Sequence, residues 1–204
     1  MLITKKMKKY ICYITRFKFM VLITFFGTTL ISCNHYNARI QDNLEKMMRS
    51  KVEIDIDSLE MFEGSDDEYL KCFHNAKLNW IVYYDSIACN ACKIKSLQYW
   101  NDYIQLSKRN KYSIGFYFIF RKSIHKGDTE IIKRSVTESG LKCPIFIDTC
   151  GYFMRHNAFI PQRPLYQTFL VDDNYSPIIV GDPMNNVEIN DLFYKLLEKR
   201  ALKK

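Results

Sequence analysis

The stretch that most limits how this chain can fold runs from Trp80 to Lys93. Trp80-Ile81-Val82-Tyr83-Tyr84 is apolar and rich in β-branched and aromatic residues, so it reads as a buried strand. A short polar turn follows, and then Cys89-Asn90-Ala91-Cys92. Beyond it Ile94, Leu97, Tyr99, Trp100, Tyr103, Ile104 and Leu106 recur at helical spacing, with Lys93, Lys95, Gln98, Asp102 and Gln105 between them. The pattern predicts a helix that opens at the cysteine pair. Unpaired N–H groups and the positive dipole end at a helix start both stabilise a thiolate. Cys89 is therefore the expected attacking thiol and Cys92, about one turn further in, the resolving one.

Other chemistry uses the same spacing. Cys-x-x-Cys is half of a zinc site, and it can also close a purely structural disulfide. For zinc, the only other close pair is Cys143 and Cys150, with six residues between them, and His35, His74, His125 and His156 are scattered. A disulfide across so short a loop gains little stability from closure. The redox reading is the expectation, with no cofactor and no metal. Cys143 and Cys150 flank a predicted strand of about four residues. At ~3.3 Å per residue that holds them beyond the ~7 Å Cα limit for a bridge, so neither a bridge nor a role in turnover is expected of them.

The N-terminus has a different logic. Lys5, Lys6, Lys8, Lys9, Arg16 and Lys18 precede an apolar run from Phe19 to Ile31 that is short for a bilayer span but suits a signal segment. It ends in Leu30-Ile31-Ser32-Cys33, which resembles the bacterial lipobox. That resemblance implies cleavage before Cys33 and its acylation, hence a membrane-anchored lipoprotein of the cell envelope, periplasm-facing. The expected organisation is a signal peptide over 1–32, a lipidated tether and N-terminal extension over 33–78, and one domain over 79–204. The formal charge is +8, and the six basic residues of 1–32 are unopposed there, which leaves +2 from Cys33 onward. The basic balance belongs to the leader. No basic stripe with interleaved aromatics follows it, so no nucleic-acid partner is expected.

Further along, Ala38–Met48 reads as an amphipathic helix and Val52–Ile56 as a short strand or extended arm. Residues Glu63–Glu68 read as a solvated acidic loop, and Tyr69–Lys77 as a short helix. Tyr112–Phe120 reads as a central strand covered on both faces. A helix follows from Gly127, with Asp128 as its cap, Ile131, Ile132 and Val136 inward, and Gly140 as its stop. Pro144–Asp148 is a short strand, and Thr149–Ala158 a loop or short helix. A hairpin spans Thr168–Asp172 and Pro177–Gly181. A last helix covers Val187–Ala201, with Ile189, Leu192, Phe193, Leu196 and Leu197 inward.

Three of these segments carry a family resemblance. Ile81–Lys93 resembles the hydrophobic strand before the active-site cysteines of thioredoxin-like proteins. Cys143-Pro144-Ile145-Phe146-Ile147-Asp148 resembles the Phe-Pro-apolar-x-x-Asp segment of the TlpA-like and redoxin branch, with Cys143 where an aromatic is usual. Thr168-Phe169-Leu170-Val171-Asp172 with Gly181 resembles that branch's last hairpin. The resemblance spans about Asn79 to Lys199, and with the lipobox it is similar to Bacteroidetes-type lipoproteins of this class. It implies an α/β thioredoxin-like three-layer sandwich with a central mixed sheet, an inserted helix and strand, and an N-terminal extension.

The sequence departs from the family at Ala88, where tryptophan is usual, and at Asn90-Ala91, where proline often occurs. The proline that precedes the last hairpin falls by count on Tyr166. Pro164 lies two residues early, an offset that keeps strand parity, so Pro164 is the expected substrate-docking proline, reached through a bulge. The implied activity is an extracytoplasmic thiol-disulfide oxidoreductase that reduces disulfides of periplasmic partner proteins through Cys89 and Cys92. The alternative is a non-catalytic lipoprotein of the same fold that binds a partner protein or copper.

Overall fold

The structure, a computed structural model, describes residues 36–62, 76–85, 96–109, 114–122 and 127–201, together with 16, 18 and 20. Cys33, Cys72, Cys89 and Cys92 lie outside these residues, as do the acidic run and most of the helix expected over Tyr69–Lys77. The chain divides into two compact units, Met1–Leu44 and Glu45–Lys204. A helix, α1, covers 36–48, close to the expected bounds; near its end Met47 is buried and Met48 exposed. Among the described residues no helix is long and apolar enough to cross a membrane.

The second unit is built on a six-stranded sheet. Its strands are β1 (Glu60–Phe62), β2 (Leu78–Tyr84), β3 (Ile114–Arg121), β4 (Ile145–Asp148), β5 (Thr168–Asp172) and β6 (Pro177–Val180). The order across the sheet is β1-β4-β3-β2-β5-β6. β2, β3 and β4 run parallel, with Tyr84 beside Phe120 and Arg121 beside Asp148. β5 lies antiparallel to β2, with Thr168 beside Val82, and β6 antiparallel to β5. All seven residues of β2 are buried, as are the first seven of β3. That is how central strands covered on both faces read, as near-continuous apolar runs.

One face carries α2 (Trp100–Arg109), entered through a 3-10 turn at Ser96–Tyr99, together with α3 (Asp128–Ser139) and α5 (Val187–Ala201). Its centre is aromatic: the Trp80 ring lies 5.6 Å from Trp100 and 5.5 Å from Phe193, and Trp100 meets Phe118 edge-on at 5.6 Å. The Asn101 side chain ties α2 to the end of α3, donating to the Gly140 carbonyl and accepting from Lys142 N–H. The other face carries α4 (Tyr152–His156), whose Phe153 stacks on Tyr83 at 5.1 Å. It also carries the chain before β1. Val52 N–H donates to the Tyr175 carbonyl, and buried Asn157 brackets Glu53, accepting from its N–H and donating to its carbonyl.

Several expectations change in detail. The short strand, one of the two readings of Val52–Ile56, is not formed: residues 51–55 carry no regular element, Asp55 is extended, and a 3-10 turn at Ile56–Ser58 leads into β1. The sequence pattern does not announce β1; it pairs antiparallel with β4, so the N-terminal extension contributes an edge strand. Asp128 is not a cap. Gly127 holds that place at φ 94°, with no side-chain cap bond, and Asp128 is the first helical residue. Gly140 does end the helix, at φ 68°. Tyr99, Ile131 and Leu192 are exposed while Leu97, Ile132 and Phe193 beside them are buried, so the inner stripe of each helix is narrower than the apolar pattern. Gly115 is required by close approach, because a Cβ there would collide with the Asn79 side chain.

Candidate functional site

The chain leaves the sheet at Asp85, just after β2, and is next described at Ser96. The residues between, 86–95, contain Cys89 and Cys92, so both expected redox residues fall outside the described residues. What the structure places is the ground on either side of them. Tyr84 and Ser96 both line one cleft of about 340 Å³ at the end of the sheet where β2 finishes. More of its wall comes from Val82 of β2, the Pro164-Leu165 turn, Thr168 at the start of β5, the Gly181–Asn186 loop after β6, and Ile189 at the head of α5. A connection that carries a cysteine pair therefore starts and ends on the wall of a cavity of ligand size.

Backbone geometry keeps this cleft open. Gly181 has φ 130° and donates its N–H to the Thr168 carbonyl at 2.8 Å. A Cβ there would come within 3.1 Å of Ile189, and φ in this region favours glycine. The next residue, Asp182, is fixed by its own turn: one carboxylate oxygen accepts Met184 N–H at 2.9 Å, the other the Asn185 side-chain amide at 2.6 Å. Among the described lining residues Asp182 is the only one with a charge. Burial pushes the Tyr84 phenol well above its ordinary range, and the Asp182 carboxylate adds to the shift.

Pro164 lines the cleft, but not in the expected geometry. It opens a 3-10 turn, Pro164–Tyr166, as its first residue, while Tyr166 is fully buried. β2 pairs with β5 as far back as Thr168, and Tyr83 N–H still reaches the Gln167 carbonyl at 2.8 Å. The two-residue offset is thus taken up by the turn and not by a bulge, and the β5 irregularity lies further on, between Leu170 and Val171. Among the described residues there is no cis peptide bond.

A second polar group lies along the ends of the three parallel strands. Arg121 Nη1 donates to Asp85 Oδ1 at 3.0 Å. Asp148, fully buried, accepts Tyr152 N–H at 2.7 Å and Phe153 N–H at 3.0 Å, satisfying the start of α4. The buried Tyr83 phenol lies among these charges. Burial is the largest cause that raises it; Asp85 and Asp148 add, and the Arg121 guanidinium opposes. The hydrogen bond to Asp85 leads the causes that raise Arg121. Sequence reasoning singles out neither Asp85 nor Arg121, and Asp148 enters it only as the last residue of the Cys143–Asp148 segment. The one visible signal is that each of Asp85, Arg121 and Asp148 closes an apolar strand.

The remaining thiols are separate. Cys143 is buried and Cys150 exposed, and among the described residues neither is joined in a disulfide. Among the described residues no three His, Cys, Asp or Glu side chains gather as metal ligands would.

The sheet order, with three parallel strands and an antiparallel hairpin on the side of β2, defines a thioredoxin-like α/β domain. The chain is similar to a thioredoxin-like protein solved in solution in its oxidised form, at 17% identity and TM-score 0.45, over 76% of this chain and 95% of that one. It is also similar to a domain of a possible thiol-disulfide isomerase from Cytophaga hutchinsonii, at 22% identity and TM-score 0.40, over 63% of this chain and 80% of that one. No family model and no curated protein sequence matches the chain.

Proposed function

We propose that the protein is a thiol-disulfide oxidoreductase of the cell envelope that reduces protein disulfides through Cys89 and Cys92. The observation that carries the reading is the bracketing of the Cys-x-x-Cys segment by Tyr84 and Ser96, two residues on the wall of one cleft. The Cys89 thiolate attacks one sulfur of a substrate disulfide. That S–S bond breaks, a mixed disulfide forms, and the departing thiolate takes a proton from solvent. Cys92 then loses its proton and attacks the Cys89 sulfur, releasing the second substrate thiol. Two electrons have passed to the substrate and the pair is left oxidised, so a dithiol donor must restore it.

Location follows from the N-terminus. Acylation of Cys33 would hold the domain at a membrane, since a lipid chain contributes ~0.8 kcal/mol per buried CH₂ and several act together. In Cys33→Ala the protein is expected in the soluble fraction; retention in membranes with the leader removed would rule this out.

The second reading, a non-catalytic module that binds a partner protein or copper, is favoured by the Pro164–Tyr166 turn, which stands where the sequence leads one to expect the docking proline. An insulin-reduction assay with a dithiol donor separates the two. The redox reading requires turnover that Cys89→Ser reduces to background. Turnover at background in the unaltered protein supports the binding module.

A further inference from the structure

The walls of the cleft are mostly apolar or amide-bearing. Val82, Leu165 and Met184 contribute apolar surface, and Leu165 is half-exposed at the lip. About 340 Å³ holds a few side chains of a peptide and not a folded surface. Into this setting the chain places one fixed carboxylate. Asp182 is held by Met184 N–H and the Asn185 amide, so its position is set before anything binds, and ordering it adds no further cost on binding. No cationic side chain lines the cleft with it among the described residues. Its charge is felt by the neighbouring phenols. Tyr103, raised to about 12 mainly by burial, then by Tyr194, is raised further by Asp182, as Tyr84 is.

We infer that this cleft selects disulfide-bearing peptides with an apolar residue and a cationic residue beside the cysteine, and that Asp182 determines the charge preference. The inference rests on the redox reading for the disulfide, but the charge preference is a property of the cleft alone. A partly exposed ion pair is worth up to about 1 kcal/mol, which is about a five-fold preference, and added salt weakens it.

The experiment uses two disulfide peptides that differ only in Arg or Glu next to the cysteine. Relative kcat/KM is measured with the full protein, at low and at raised salt. Binding of the matching Cys→Ser peptides is measured in parallel with the Cys89→Ser, Cys92→Ser protein. The arginine peptide should lead by about five-fold in both, with the lead shrinking in salt and falling towards one in Asp182→Asn. Asp182→Ser is the second variant, because its hydroxyl can still accept Met184 N–H without setting a second amide against that of Asn185, and the comparison in the unaltered protein needs no variant. Equal binding of the two peptides, or a preference unchanged in Asp182→Asn and Asp182→Ser, overturns the inference. If the binding preference holds while neither peptide is turned over, the redox reading and the choice of a disulfide as ligand both fail, and the charge preference set by Asp182 stands. If both peptides are turned over equally and bound equally, the reverse is true.

Discussion

Arg121 Nη1 lies 3.0 Å from Asp85 Oδ1, joining the ends of two neighbouring parallel strands four residues before Cys89. Four residues reach at most about 14 Å from Asp85, which is inside the ~30 Å Debye length of 0.01 M salt, so at low salt the charges of the pair are expected to influence the thiol. Removing the cation should raise the Cys89 thiol pKa, and removing the carboxylate should lower it. Arg121→Gln and Asp85→Asn are therefore expected to move the pH midpoint of Cys89 alkylation in opposite directions, by about half a pH unit each at low salt. Parallel shifts would mean that the pair acts only through folding.

A second prediction concerns the extension. Asn157 is fully buried and holds Glu53 by two 2.8 Å bonds while also donating to the Phe153 carbonyl. Asn157→Ala leaves the Glu53 N–H and two carbonyls without this partner. Denaturant unfolding should show a loss of about 2–4 kcal/mol. A loss under about 0.5 kcal/mol would mean that the arm is not part of the cooperative unit.

Alkaline pH gives a third. The Tyr83, Tyr84 and Tyr117 phenols are raised above the ordinary value of 10, in each case mainly by burial, and Tyr103 is raised to about 12. These groups keep their protons in the native state at pH values where the unfolded chain loses them. Their contribution is fully present below pH 10 and is lost as pH rises through the folded values. Stability should fall steadily above pH 10, with phenolate absorbance from these residues appearing together with unfolding. A full phenolate signal near pH 10 in a protein that stays folded would contradict the buried placement.

The spare thiols give a fourth. In the reduced native protein alkylation should label Cys150, which is exposed, and spare Cys143, which is 1% exposed. Cys150→Ser should leave disulfide reduction unchanged. A peptide joined through Cys143 and Cys150 in the oxidised protein would overturn the β4 geometry that separates them.

The legible parts of the fold share a physical cause. β2, β3 and β4 are buried on both faces, so the chemistry of their residues announces them without help from context. β1 is three residues long and mostly exposed, and only its antiparallel match to β4, from Glu60 beside Ile147 to Phe62 beside Ile145, makes it a strand. That match depends on a partner more than eighty residues away. The cap of α3 falls one residue earlier than its chemistry suggests: Asp128 has the right side chain, but Gly127 alone accepts φ 94° without strain. At the site, Cys89 and Cys92 stand out by spacing alone. Asp182 does not, since a carboxylate in a Gly-Asp-Pro turn looks like a solvated loop until β6 and α5 fold it onto the cleft.

In the proposed reaction Cys89 attacks and Cys92 resolves, and mixed-disulfide trapping separates the two roles. Each single cysteine-to-serine variant is incubated with a disulfide substrate and covalent adducts are separated without reductant. An adduct through Cys89 should accumulate in Cys92→Ser, because attack survives and resolution does not, and no adduct should form in Cys89→Ser. An adduct that forms in Cys89→Ser, or in neither variant, would contradict this assignment of roles.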